Sequence, residues 1–216
     1  MRMLRCVMLA LALGAAWAAP WASPVTARQA QAVDITAARA TIVDLEDALL
    51  DLMRSGESTN FEERFERIDP VVRRTIDLRY IARVALGEYD GTLSEQDAER
   101  YFSAFARLSI ANYAANFASY NEQRFTPETP VPLSGDRALV RSQMTRKKGE
   151  PVRFDYLLRL NEERQWRITN IVANGVSDLA LKRTEFTSVL QNGGIEALLS
   201  EIERKIETLR TTPKPA

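Results

Sequence analysis

Catalysis near neutral pH draws mostly on histidine, cysteine and paired carboxylates, and this 216-residue chain is poor in the first two. It has no histidine at all, which removes the usual general base, the usual zinc ligand and Ser-His-Asp mechanisms. Its one cysteine, Cys6, sits near the start, so neither a disulfide nor a thiol nucleophile is expected in a processed chain. A metal would have to be held by carboxylates alone. The adjacent pairs Glu62-Glu63 and Glu162-Glu163 lie in charged stretches and read as solvated faces, as does Lys147-Lys148. Asn192-Gly193-Gly194 lacks the preceding strand and the lysine of a phosphate loop, so it reads as a helix end. An aspartate facing a tyrosine in an apolar cavity would suit proton transfer. Asp155 and Tyr156 are neighbours on a strand and point to opposite faces, leaving Asp77, Tyr80 and Tyr113 as the remaining candidates. No catalytic residue, cofactor or metal is expected.

Charge excludes another class. There are 29 basic and 29 acidic residues, and removal of Arg2 and Arg5 with a leader leaves 27 against 29. Phosphate-backbone binding needs a concentrated basic surface, so no nucleic-acid partner is expected. Arg2 and Arg5, the apolar run 7–16 and Ala16-Trp17-Ala18 together form a signal peptide over 1–18. The run is shorter than the roughly 20 residues a membrane span needs. Cleavage after Ala18 is preferred to cleavage after Ala22, which places Pro20 badly. The expected mature protein is exported and periplasmic, with a leader over 19–33, one α+β domain over 34–210 and a tail over 211–216.

Apolar periodicity supplies the elements. Ile35, Ala38, Ile42, Leu45, Leu49 and Leu52 form one helical stripe, capped by Asp34 and ended by Ser55-Gly56. Two short helical pieces follow, separated at Asp69-Pro70, and Asp77 caps another helix that stops at Gly87. Ser94 with Asp97 opens the longest helix, carrying Phe102, Phe105, Leu108, Tyr113 and Phe117 among alanines, and expected to run roughly 40 Å to about Asn121. Alanines leave room that the aromatics border, so this set could wall a cavity as well as fill a core. Strand alternation is clear in 138–146, in Val152, Phe154, Tyr156, Leu158 and Leu160, and in Trp166, Ile168, Asn170 and Val172. Pro127, Pro130 and Pro132 reduce 125–133 to an irregular edge. The expected fold is a twisted antiparallel sheet of about four strands wrapped by helices around an apolar cavity.

The order strand, polar turn, Trp166-x-Ile168, Gly175-Val176-Ser177, helix, Arg183-x-x-Phe186 resembles the MlaC-type periplasmic lipid carriers, also called toluene-tolerance auxiliary proteins. The string from Asp77 to Leu86-Gly87 and the Ser94-capped aromatic helix extend the resemblance over most of the chain. It implies a carrier that shuttles phospholipid between an outer-membrane lipoprotein complex and an inner-membrane ABC transporter with an Mce-type subunit. Asn174 stands where such carriers usually have glutamate before Gly-Val-Ser, a form more similar to the hopanoid-associated HpnM branch, which implies a triterpenoid as the alternative ligand. A lipid slot would then be lined by Ile81, Phe102, Phe105, Leu108, Tyr113 and Phe117 from the helices. From the sheet it would take Phe154, Tyr156, Leu158, Trp166, Ile168 and Val172. Arg183 would meet a head group or form a structural ion pair. The rival expectation is a periplasmic interaction protein in which these residues only fill a core.

Overall fold

The computed structural model describes residues 34–212, so the expected signal peptide, leader and last tail residues lie outside it. Helix α1 (Thr36–Ser55) buries Ala38, Ile42, Leu45, Leu49 and Leu52, the stripe read from the sequence. Its N-cap is Ile35 rather than Asp34; the aspartate stands one residue further out, where it accepts from the Thr36 hydroxyl and, at 2.9 Å, from the Thr36 amide, and these bonds hold it below its usual carboxylate range.

Helix α2 (Phe61–Thr75) corrects the expected break, because it runs unbroken through Pro70. Pro70 and Glu66 one turn earlier are both exposed, so the carbonyl left without a donor is on the solvent side, while Ile68, Val71 and Val72 anchor the other face. An Asn60–Glu63 capping box, with both reciprocal bonds at 3.0 Å, starts it. Helix α3 (Leu78–Leu86) is capped by Asp77 and ended by Gly87 at φ +62°, as read.

Helix α4 (Glu95–Asn116) is capped by Ser94 and stops five residues short of the expected end. At about 33 Å it is the central element. It is buried on several sides, with Tyr101, Phe105, Leu108, Ile110 and Ala114 all inside, because α2, α3 and α5 all pack on it. A helix surrounded in this way shows little amphipathic bias. Arg64 ties its C-terminal end to that of α1: Nε donates to the Ala114 carbonyl at 2.8 Å, and Nη1 donates to Thr59 at 2.5 Å and Gly56 at 3.4 Å. Replacing Arg64 with methionine leaves these carbonyls without their charged donor; the expected loss is about 2 kcal/mol in chemical denaturation, with an unchanged denaturant slope.

The sheet has six strands, all antiparallel: β1 (Arg124–Pro127), β2 (Val131–Pro132), β3 (Arg137–Thr145), β4 (Val152–Leu160), β5 (Trp166–Ala173) and β6 (Val176–Ser177). The order is β1-β3-β4-β5-β6, with β2 also on β3; the two extra strands beyond the expected four are two residues long. Asn174 and Gly175, both at positive φ, turn β5 into β6. Helix α5 (Asp178–Thr211) follows, with a kink at Gly194 (φ 67°, ψ −165°) where the sequence marks a helix end. Phe186 of α5 meets Tyr101 and Phe105 of α4 edge-on, with centroids 6.3 and 6.2 Å away, Tyr101 and Phe105 are tilted against each other at 5.9 Å, and the Tyr101 hydroxyl donates to the Ala82 carbonyl.

One irregularity controls which strand residues face inward. β4 and β5 pair Leu158 with Ile168 and Leu160 with Trp166, then slip, so that Leu157 meets Asn170, Tyr156 meets Ile171 and Phe154 meets Ala173. Thr169 is the inserted residue, and its hydroxyl donates to the Leu157 carbonyl at 3.1 Å. A one-residue bulge reverses the alternation beyond it. Ile171 therefore joins the inner face, and Val172 goes outward opposite Asp155.

Candidate functional site

Between the inner face of the sheet and the helices lies a slot with about 220 Å³ of free space. Along α4 its wall is Phe105, Ser109, Asn112, Tyr113, Asn116 and Phe117, one face at helical spacing. Leu45 and Leu49 of α1 and Ile76, Leu78 and Ile81 close one side. The sheet supplies Phe125, Phe154, Tyr156, Asn170 and Ile171. The rings are ordered in contact: Phe154 stacks on Tyr156 at 5.7 Å and touches Phe125 at 6.2 Å, and Tyr113 stacks on Phe117 at 5.9 Å. Burial pushes the phenols of Tyr113 and Tyr156 well above their ordinary range, so both stay neutral hydroxyls.

The slot has polar borders. At the start of α5, Asp178 and Lys182 form an ion pair beside Leu179, with the lysine side chain mostly buried and the aspartate exposed. Asn170 accepts a hydrogen bond from Ser177, the N-cap of α5, at 3.0 Å. On another side Ile76 and Leu78 are shared with a broad open groove that carries Arg73, Arg79, Arg83, Arg159, Arg167 and Arg183. Most of these cations are matched: Arg79 by Glu99, Arg83 by Asp90, Arg73 by Asp69, and Arg159 by Asp77 at 3.3 Å while it lies over the Tyr80 ring. Asp77 is thus used as a helix cap and an ion-pair partner. Arg183 lies against Gly87 and has no carboxylate partner among the described residues, so the expected structural ion pair is not formed. A side chain at Gly87 would press on its guanidinium.

Of the twelve residues read from the sequence as lining, the fold brings six to the slot: Ile81, Phe105, Tyr113, Phe117, Phe154 and Tyr156. The other six go elsewhere. Phe102 lies on the outer side of α4 beneath the Arg79 guanidinium, 4.5 Å away. Leu108 faces a second hollow between α4 and α5. Leu158, Trp166 and Ile168 are core: Leu158 pairs with Ile168, whose carbonyl accepts from the Asp77 amide, and the Trp166 indole donates to the Asp34 carbonyl. Val172 is on the outer face because of the bulge. The sequence reading missed Leu45, Leu49, Phe125 and Ile171. The first two belong to the α1 stripe, and only pairing register could have found the last.

Glu46 of α1 was also missed. It is 2% exposed, and its carboxyl faces the Ser142 and Tyr156 hydroxyls from behind the slot wall. Burial raises its pKa to about 7. Among the described residues no cluster of carboxylates could hold a metal ion, and no helix is long and apolar enough to cross a membrane.

The family described as MlaC protein matches residues 44–204 of the chain. Among curated proteins, the chain is 24% identical over 132 residues to the intermembrane phospholipid transport system binding protein MlaC of Haemophilus influenzae. It is 22% identical over 131 residues to the toluene tolerance protein ttg2D of Pseudomonas putida. These alignments cover 60% of this chain and 62% and 60% of those relatives' lengths. Among solved structures, the phospholipid-binding protein of Ralstonia solanacearum, in complex with a phospholipid, superposes with a TM-score of 0.70 at 20% identity. That superposition covers 80% of this chain and 98% of the other, which shows a shared fold.

Proposed function

The chain belongs to the MlaC family, and from that membership and the slot between sheet and helices we propose that it is a lipid-binding carrier of the periplasm. The observation that carries the reading is the slot itself: aromatic and aliphatic walls inside, polar borders at its edges, and no assembled catalytic group among the described residues. A diacyl lipid has on the order of 30 methylenes, each worth about 0.8 kcal/mol when withdrawn from water, so its unaided passage through an aqueous space is prohibitively slow. A carrier needs only to supply a dry slot. Phospholipid is the ligand named for one relative and one solved structure. The cycle proposed for this chain, on the resemblance alone, is exchange with an outer-membrane lipoprotein complex and with an Mce-type subunit of an inner-membrane ABC transporter.

At about 220 Å³ the slot is smaller than the roughly 300–1,000 Å³ usual for ligand pockets, so loading must push its walls apart. The walls with least to hold them are Phe117, just past the end of α4, and Phe125 on the four-residue strand β1. The acyl chains lie along Phe105, Tyr113, Phe117, Phe154, Tyr156 and Ile171. The head group leaves over Ile76 and Leu78 into the arginine groove, where Arg183, which has no carboxylate partner among the described residues, meets its phosphate.

Native purification from cells followed by mass spectrometry tests this. The expected result is a phospholipid close to one per chain. A triterpenoid in its place would assign the chain to the hopanoid alternative, and protein that comes out empty and takes no lipid from vesicles would leave only the interaction-protein reading.

A further inference from the structure

Glu46 sits among Ile42, Leu45 and Leu49 on α1, and neither carboxyl oxygen has a partner in good hydrogen-bond geometry; the same is true of the buried Ser142 hydroxyl opposite. Two groups face it from the sheet, Ser142 of β3 and Tyr156 of β4, and Tyr113 of α4 stands beyond Tyr156. On its own helix the nearest charges are Asp47 and Arg39, and Arg39 donates to the Pro127 carbonyl of β1 at 3.3 Å. Other polar contacts made on α1 stay at its surface or on its backbone side: Arg74 of α2 with Asp44, Arg67 of α2 with the Ser55 hydroxyl, Arg54 with Asp51, and Thr41 with the Trp166 carbonyl of β5. Among the described residues no cation pairs with Glu46, and a buried carboxyl without one takes up a proton.

The cluster has two sides. The hydroxyl of Tyr156 faces Glu46, and the same side chain lines the slot. We propose that Glu46 is a positioning residue for the lipid slot whose proton is coupled to occupancy: its neutral carboxyl holds Tyr156 in the wall of the filled slot, and its ionisation favours the empty, wet one.

The physical link is water. An empty slot admits water to Tyr156 and Tyr113, and through them part of the solvation that a carboxylate needs. An acyl chain removes that water, so the charged form of Glu46 becomes harder to maintain and a proton is taken from solvent as lipid enters. Coupling is reciprocal, so protonation of Glu46 tightens lipid binding and rising pH loosens it. Glutamine keeps the shape and the neutral charge, and so fixes the high-affinity state.

This inference rests on the carrier reading. Its test measures binding of a phosphatidylcholine with a fluorescent acyl chain, whose head group does not titrate in the range used, to wild type and Glu46→Gln at several values between pH 5.5 and 8.5. Near-ultraviolet circular dichroism confirms folding at each point. Wild-type affinity should fall about tenfold from pH 6 to pH 8.5, while Glu46→Gln holds the low-pH affinity throughout. Binding that is flat with pH in wild type, or that falls equally in Glu46→Gln, overturns the coupling and leaves the carrier reading standing. Absence of binding by either protein at every pH overturns both.

Discussion

Ile171→Arg is expected to emerge from cells with less than a tenth of the wild-type lipid, whereas its neighbour Val172→Arg should retain nearly all of it. The contrast follows from the Thr169 bulge. Ile171 pairs with Tyr156 and borders the slot, so a guanidinium there must either sit unpaired among aromatic rings or swing out and block the passage. Val172 pairs with Asp155 on the outer face, where Arg141 already lies 3.6 Å from the aspartate, and a second arginine finds solvent and a carboxylate. Ile171 is only partly buried, so the substitution empties the slot without removing a central core residue. Mass spectrometry gives the lipid content and thermal unfolding shows whether both variants are folded. Loss of lipid from both, or from Val172→Arg alone, would refute the assignment of faces.

Glu46→Gln should make the protein more stable above neutral pH by about 3 kcal/mol, one of the largest gains available from a single substitution here. In the folded chain Glu46 holds its proton up to about pH 7, because burial disfavours the carboxylate; in the unfolded chain it releases it at the ordinary 4.5. Between those values the folded state binds more protons than the unfolded one, so stability falls as pH rises through the window. Below pH 4.5 both states carry the proton and Glu46 takes nothing from stability. Above pH 7 the full penalty applies, and the separation of the two values at 1.36 kcal/mol per pH unit gives about 3 kcal/mol. Glutamine carries no such penalty. Urea unfolding at pH 5 and pH 8 should show the two proteins close together at the first and well apart at the second, with the variant melting roughly 6–12 °C higher at pH 8. Equal stability at pH 8 would mean that water or an ion already solvates the carboxylate.

The two substitutions together separate the slot from its support. Ile171→Arg acts on the wall facing the ligand and leaves the carboxyl behind it untouched. Glu46→Gln alters the support and leaves the wall in place. Retained lipid in Glu46→Gln alongside lost lipid in Ile171→Arg is the pattern expected of a slot whose lining is Tyr156 and Ile171 and whose tuning group lies one layer back.

Much of this was legible in the residues. Helical spacing marked α1, α3 and α4 and the last turns of α5, because an amphipathic stripe repeats at the period of the helix whatever it packs against. Short-range chemistry marked the ends: Asp77, Ser94 and Ser177 cap their helices through bonds to amides three residues on, and Gly87 ends α3 at a positive φ. The absence of histidine, and of cysteine beyond Cys6, narrowed the chemistry to be expected before any fold was known. Even the error at Pro70 was local, since a proline costs a helix least where the orphaned carbonyl faces water.

Position within the tertiary structure could not be read in the same way. Alternation in β5 predicted Val172 inward, and one inserted residue, Thr169, reversed it, because the side-chain period of a strand is two and a single slip exchanges its faces. Phe102, Leu108, Leu158 and Trp166 are as apolar as the residues that line the slot, yet they face a cation, a second hollow or the core, which depends on neighbours brought together from 20 to 130 residues away. Glu46 is the plainest case. In sequence it is one charged residue beside an apolar stripe, and only the packing of α1 on the sheet shuts it in with two hydroxyls and, among the described residues, no paired cation. The chain alone determined its helices, its strands and the kind of chemistry it lacks; which face each residue turns, and what that face meets, was decided by how the sheet and helices closed on one another.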